Sequence, residues 1–295
     1  MTSPEISHIN TNKVPSRVCA IHDLSGFGRC SLSVIIPVLA AMGIQPCPVP
    51  TAILSTHTGG FNNFTFFDYT PYIRDYYSHW SSLGVKFDAI YSGFLGSAEQ
   101  INLVGDIINT FPEAKTVLID PVMGDDGILY STYTDPLKIG MKELVKKATI
   151  ITPNLTEACF LLDIPYVDSP TDYEIRQMLL RLSEYGADTV ITGIHRKNSV
   201  CTGLKEALNG NTEIFENEYI PKSYPGTGDI FASVLLGSIL KGRNLICSVE
   251  DACDFVHDTV EYSAGFNYPL REGVLLEPRL FRLIEDNTNN PTQLR

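Results

Sequence analysis

The chain has 295 residues, 44% of them hydrophobic and 19% charged, enough for one large or two small globular domains. A net charge of −12 excludes a nucleic-acid backbone as the main partner, since that needs clustered Lys and Arg, but allows nucleotides held by backbone amides and metal ions. No apolar run is long enough to span a bilayer and the first residues lack the apolar stretch of a signal peptide, so a soluble, cytoplasmic protein without a membrane partner is expected.

Polar tails are expected at about 1–15 and 286–295. Between them, "RVCAIHDL" reads as a strand and "LSVIIPVLAAMG" as a helix with a glycine stop. "QPCPVPTAILS" is extended, because its three prolines disfavour helix. "FDAIYSGFLGS" is a strand entering a loop, followed by the amphipathic helix "AEQINLVGDIINTF". "KTVLIDPVMGDDG" is a buried strand ending in a polar loop, and "ATIITPNLTEACFLL" is strand, proline turn and helix start. "DTVITGIHRK" is another strand. "SVCTGLKEA" and "NTEIFENEYI" form a β pair at an edge, joined through "NGN". A helix after "PGTGD" and a long one around "SVEDACDFVHDTVEYSAGF" complete the order.

Strands alternating with helices predict an α/β fold with a mostly parallel sheet covered on both faces. No linker, internal repeat or low-complexity segment divides the chain, which predicts one domain over 1–295. The seven cysteines are scattered with no CxxC pair, and read as small apolar side chains in a reducing compartment. The polar motifs fall at the predicted strand ends, where such sheets bind ligands.

In "PGTGD" the glycines permit a tight turn and close approach of a ligand. The following helix start offers free amides and partial positive charge, an anion hole without lysine. Asp229 in its first turn is placed to accept a hydroxyl proton beside a transferring phosphoryl group. The plain alternative is a glycine turn with an acidic residue favouring a helix start. It is neither a Walker A loop nor a dinucleotide GxGxxG.

Asp120, Asp125 and Asp126 in "DPVMGDDG" are hard oxygen donors that suit Mg²⁺, or else a solvated acidic turn. Asn154 and Glu157 in "TPNLTE" share a helix face, and orient metal-bound water or form a capping box. Asp23 and Ser25, with Thr56, His57 and Thr58, are hydrogen-bonding groups that suit a small polar ring. Phe94 is placed to stack on a planar substrate or to pack in the core.

"PGTGDIFAS" together with "NLTE" resembles the ribokinase superfamily of small-molecule kinases. "SGFLGSAEQ" and "DPVMGDDG" narrow the resemblance to its vitamin B6 kinase branch, the pyridoxal/pyridoxamine kinases, over about residues 17–285. The resemblance implies a three-layer α/β/α sandwich with a mostly parallel central sheet, a homodimer, and ATP-dependent phosphorylation of a B6 hydroxymethyl group. It implies ATP as co-substrate and Mg²⁺, and leaves room for a monovalent cation such as K⁺. Carried over, Asp229 resembles the base, and Gly226, Thr227 and Gly228 the anion hole. Asp120, Asp125 and Glu157 resemble the metal side, and Asp125, Asn154, Glu157 and Thr192 the nucleotide side. Asp23, Ser25, His57, Thr58 and Phe94 resemble the substrate side, and the loop after Gly124 a mobile cover over ATP.

The chain departs from the pattern at Asp23, where many pyridoxal kinases carry serine, and at Phe94, where they carry tyrosine. An aspartate there favours a protonated nitrogen or a substrate amine. "HDLSGFG" partly resembles the hydroxymethylpyrimidine kinases, although many of those carry cysteine in place of Asp229. The competing expectations are a hydroxymethylpyrimidine kinase, a sugar kinase of the same superfamily, and a catalytically silent B6-binding protein.

Overall fold

The structure is a computed structural model that describes residues 14–130 and 133–285, so most of both predicted tails lies outside the described residues. In chain order the elements are Arg17–Phe27 (β1), Leu32–Ala41 (α1), Gln45–Thr56 (β2), Phe66–Asp68 (β3), Thr70–Ser82 (α2), Ala89–Ser92 (β4) and Ala98–Thr110 (α3). Thr116–Ile119 (β5), Gly124–Asp125 (β6), Ile128–Leu129 (β7), Asp135–Val145 (α4), Ile150–Ile151 (β8), Leu155–Leu162 (α5) and Asp172–Ser183 (α6) follow. Asp188–His195 (β9), Ser199–Lys205 (β10), Thr212–Glu218 (β11), Thr227–Leu240 (α7), Leu245–Ala264 (α8) and Phe281–Glu285 (α9) close the chain.

Nine strands form one sheet in the order β11-β10-β9-β8-β5-β4-β1-β2-β3. The six strands from β9 to β2 run parallel, while β10, β11 and β3 are antiparallel additions at the edges. Side chains alternate across the pleat. Cys19 and Ile21 of β1 face one core with α2 to α6, whereas Val18 and Ala20 face the other, with α1, α7 and α8. These are the three layers of an α/β/α sandwich. Among the described residues no helix is long and apolar enough to cross a membrane.

Parallel register brings the carboxyl ends of these six strands to one edge. The chain leaves β1 for β2 on one side and returns to β4 on the other, so a crevice opens at this reversal between β1 and β4. One helix aims its start there. Every residue of α7 from Ile230 to Ser238 is buried, and side chains such as Leu235 and Leu236 stabilise it by roughly 1.5–3 kcal/mol each. That packing fixes the helix and therefore its amino terminus.

The sequence assigned no element to α2, α4, α6, β3 or the small β6–β7 hairpin. α2 is rich in aromatic residues, a composition typical of strands. It is helical because Pro71 suits a helix start and Ile73 and Tyr77 bury a common face.

Candidate active site

The turn before α7 is fixed by one glycine. Gly226 is the helix N-cap with φ of 84°, and a Cβ there would collide with the Arg29 carbonyl oxygen. Only glycine therefore seats the turn on the Arg29–Cys30 backbone. Thr227, Gly228 and Asp229 are the first three helical residues, and their amides have no partner within the helix. A Cβ on Gly228 would meet nothing within 4 Å, so open space lies beside those amides.

Asp229 is held from the β1 side. The Ser31 amide donates to its Oδ2 at 2.8 Å, and the Cys30 thiol lies 3.5 Å from the same oxygen. Both contacts fall on Oδ2, which leaves Oδ1 for a ligand. Burial raises the Asp229 carboxyl to about 6, against the lowering effect of the Ser31 amide. An acid of that strength is ionised at neutral pH and is suited to take up a proton.

Ser31 has a second partner. Its hydroxyl donates to Asp23 Oδ1 at 2.5 Å, and Ser25 donates to Asp23 Oδ2 at 3.2 Å. Its backbone, with φ of 52° and ψ of −133°, is in a region that side-chain-bearing residues rarely occupy. Such a conformation costs about 1–3 kcal/mol and persists only where neighbours enforce it. Here the two carboxylates do so.

Asp120 follows β5 and Glu157 opens α5; they are 7% and 3% exposed. Burial, then the Asp229 charge, raises Asp120 to about 8. Burial, then the Asp120 charge, pushes Glu157 well up. Asn154 and Glu157 form a full capping box, with Glu157 N–H donating to Asn154 Oδ1 at 2.9 Å and Asn154 N–H donating to Glu157 Oε2 at 2.8 Å. The other Glu157 oxygen accepts the Met123 amide at 3.0 Å. Asn154 Nδ2 donates to the Gly124 carbonyl at 2.8 Å, and Gly127 N–H to Thr156 Oγ1 at 2.9 Å. The box thus caps the helix and also anchors the β6–β7 hairpin. Asp125 is exposed on that hairpin, and Thr192 docks beside Asn154 through its amide to the Pro153 carbonyl.

Among the described residues no lysine or arginine pairs with Asp23, Asp120, Glu157 or Asp229, and no three metal-ligating side chains gather into a cage. Buried carboxylates without cations are costly. Hard oxygen donors in that state fit a divalent cation shared with phosphates and water, the usual manner of Mg²⁺.

The expected ring contacts are arranged unequally. Both nitrogens of His57 are engaged by main chain: Nδ1 accepts the Gly59 amide at 3.1 Å, and Nε2 meets the Arg271 carbonyl at 2.7 Å. The ring clamps two loops, and only its faces and carbon edges remain for a ligand. Thr58 is exposed, and Phe94 is half-buried with its carbonyl accepting from Thr51. Sequence reasoning missed Cys30 and Ser31, because a cysteine–serine pair before a helix carries no signal for the carboxylate it meets 198 positions later. It also missed the buried Tyr91, whose hydroxyl has no hydrogen-bond partner among the described residues and is pushed well up by burial, then by the Asp229 and Asp120 charges.

The family model for phosphomethylpyrimidine kinase matches residues 36–271. A Bacteroides thetaiotaomicron VPI-5482 structure, provisionally named a phosphomethylpyrimidine kinase and solved with pyridoxal, has a TM-score of 0.87 and 40% identity over 92% of this chain and 96% of that one. Pyridoxal kinase from Lactobacillus plantarum has a TM-score of 0.86 and 29% identity, covering 92% of this chain and 98% of that one. The pyridoxine/pyridoxal/pyridoxamine kinase of Bordetella avium (strain 197N) is 29% identical over 240 residues, 76% of this chain and 77% of its own length.

Proposed function

The chain belongs to the phosphomethylpyrimidine kinase family, with a ribokinase-like kinase fold, and we propose that it transfers the γ-phosphoryl group of ATP to the hydroxymethyl group of a B6 vitamer. Pyridoxal, pyridoxine or pyridoxamine would become the 5′-phosphate. The observation that carries the chemistry is Asp229, fixed through Oδ2 at the start of α7 beside the open space at Gly228. Support for the vitamer comes from the Bacteroides relative solved with pyridoxal.

In this reading Asp229 Oδ1 accepts the proton of the substrate hydroxymethyl group. The oxygen forms a bond to the γ-phosphorus as the bridging P–O bond to ADP breaks. Amides of Thr227, Gly228 and Asp229 point at the charge that develops on the phosphoryl oxygens. Asp120 and Glu157 would hold Mg²⁺, with Asp125 on its nucleotide side; the bound ion would neutralise phosphate charge. Asn154 and Thr192 would line the nucleotide, and Asp23, Ser25, His57, Thr58 and Phe94 the ring. The hairpin after Gly124 would cover ATP and exclude water. One domain over 1–295, homodimer assembly and a cytoplasmic location belong to the same proposal and rest on the resemblance.

A second reading, a hydroxymethylpyrimidine kinase, is favoured by the family model itself. Turnover of the three B6 vitamers and hydroxymethylpyrimidine with ATP and Mg²⁺, side by side, separates them. Turnover of a vitamer well above the pyrimidine supports the proposal. Turnover of the pyrimidine alone would replace it, and binding without turnover would point to a silent binder.

A further inference from the structure

One buried carboxylate, placed beside the ring, takes no part in the phosphoryl transfer itself. Asp23 is 6% exposed and sits at the reaction edge. The side chains that hydrogen-bond to it bring no opposite charge. Ser25 and Ser31 are neutral, and His57, near enough for a charge on its ring to favour the ionised Asp23, spends both ring nitrogens on main chain and makes no ion pair with it. Among the described residues no lysine or arginine pairs with it. A buried carboxylate in that state lacks a cation.

Ser31 also fixes where the missing cation must lie. Its amide binds Asp229 at 2.8 Å and its hydroxyl binds Asp23 at 2.5 Å, so the two carboxylates stand at two ends of one residue. A ring spanning the two carboxylates, with its hydroxymethyl group at Asp229, would turn a neighbouring substituent toward Asp23.

We propose that Asp23 selects substrates with an amine, on a methylene or directly on the ring, at the ring carbon next to the one bearing the reacting hydroxymethyl group. The inference rests on the B6 kinase reading and sharpens it: the favoured vitamer is pyridoxamine, whose ammonium supplies the missing charge. Pyridoxine offers only a neutral hydroxyl there. Pyridoxal offers an aldehyde oxygen, which cannot donate to a carboxylate. Hydroxymethylpyrimidine has an amino group at the equivalent place and shares the chemistry without the full charge.

The test is kcat/KM for the four compounds with ATP and Mg²⁺, in the wild type and in Asp23→Asn and Asp23→Ser. A charge-assisted hydrogen bond predicts a wild-type preference for pyridoxamine over pyridoxine of about 10-fold or more, and loss of about that factor from the ratio in both variants. Equal use of the two vitamers by the wild type would overturn the inference without need of any variant. An unchanged ratio in the variants would do the same, and would leave Asp23 only as a support for Ser31. Turnover of hydroxymethylpyrimidine alone would overturn the B6 reading instead. In that case a selective loss of this amine-bearing substrate in Asp23→Asn, with ATP affinity retained, would still support the role of Asp23.

Discussion

Replacing Asp229 with asparagine separates two consequences of one carboxylate. The variant keeps the size and the acceptor for the Ser31 amide but cannot take a proton. Loss of a general base lowers turnover by about 10²–10⁴-fold, with substrate binding largely kept. Stability moves the other way. The folded-state carboxyl is raised from the ordinary 3.8 to about 6, so folding opposes its ionisation. About 2 pKa units correspond to roughly 3 kcal/mol; the lost charge-assisted bond from Ser31 offsets part, leaving about 1–2 kcal/mol. The sign follows from linkage: the native state binds the extra proton between 3.8 and about 6, so the wild type bears the full cost above pH 6 and none well below pH 4. Asp229→Asn should melt about 2–3 °C higher than wild type at pH 8, with the gap closing toward pH 4. Thermal unfolding across pH, paired with turnover on the same preparations, checks both. Near-normal turnover would refute the base, and a lower melting temperature at pH 8 would refute uncompensated burial.

The same reasoning reaches other residues. Asp120, raised to about 8, makes the ligand-free protein lose stability as pH rises from about 4 to about 8; Asp120→Asn should flatten that slope in denaturant titrations. Gly226→Ala should lose about 2 kcal/mol or more of stability, because the new Cβ meets the Arg29 carbonyl in a conformation suited to glycine; urea unfolding measures it. Gly228→Val fills open space, so it should leave the melting temperature within about 2 °C yet lower kcat/KM for ATP at least ~10-fold.

The parallel core of the fold was legible because its apolar strands end in polar motifs, most of them with a glycine, and its apolar helices are long and uninterrupted. The edges and the outer helices were not, since short strands and aromatic-rich helices are decided by neighbours distant in sequence. The same division holds at the site. Asp229 and its glycines announce themselves as a local pattern. Ser31 does not, because its importance lies in reaching Asp23 and Asp229 at once, from opposite directions in the chain. Asn154 and Glu157 show a third case: the sequence offered a capping box or a ligand-side pair, and the structure has the box while also aiming Glu157 at the loop after Asp120. His57 shows the converse, a promising motif residue whose nitrogens are spent on main chain.

The most direct test is the position of the phosphate on the product formed from pyridoxine, which carries two hydroxymethyl groups. Phosphorus–proton correlation by NMR after reaction with ATP and Mg²⁺ should show the phosphate on the 5′ oxygen, with one ADP per ester and at least ~10²-fold less ester from Asp229→Asn in the same time. ADP release without an ester, or phosphate on the 4′ oxygen, would contradict the account.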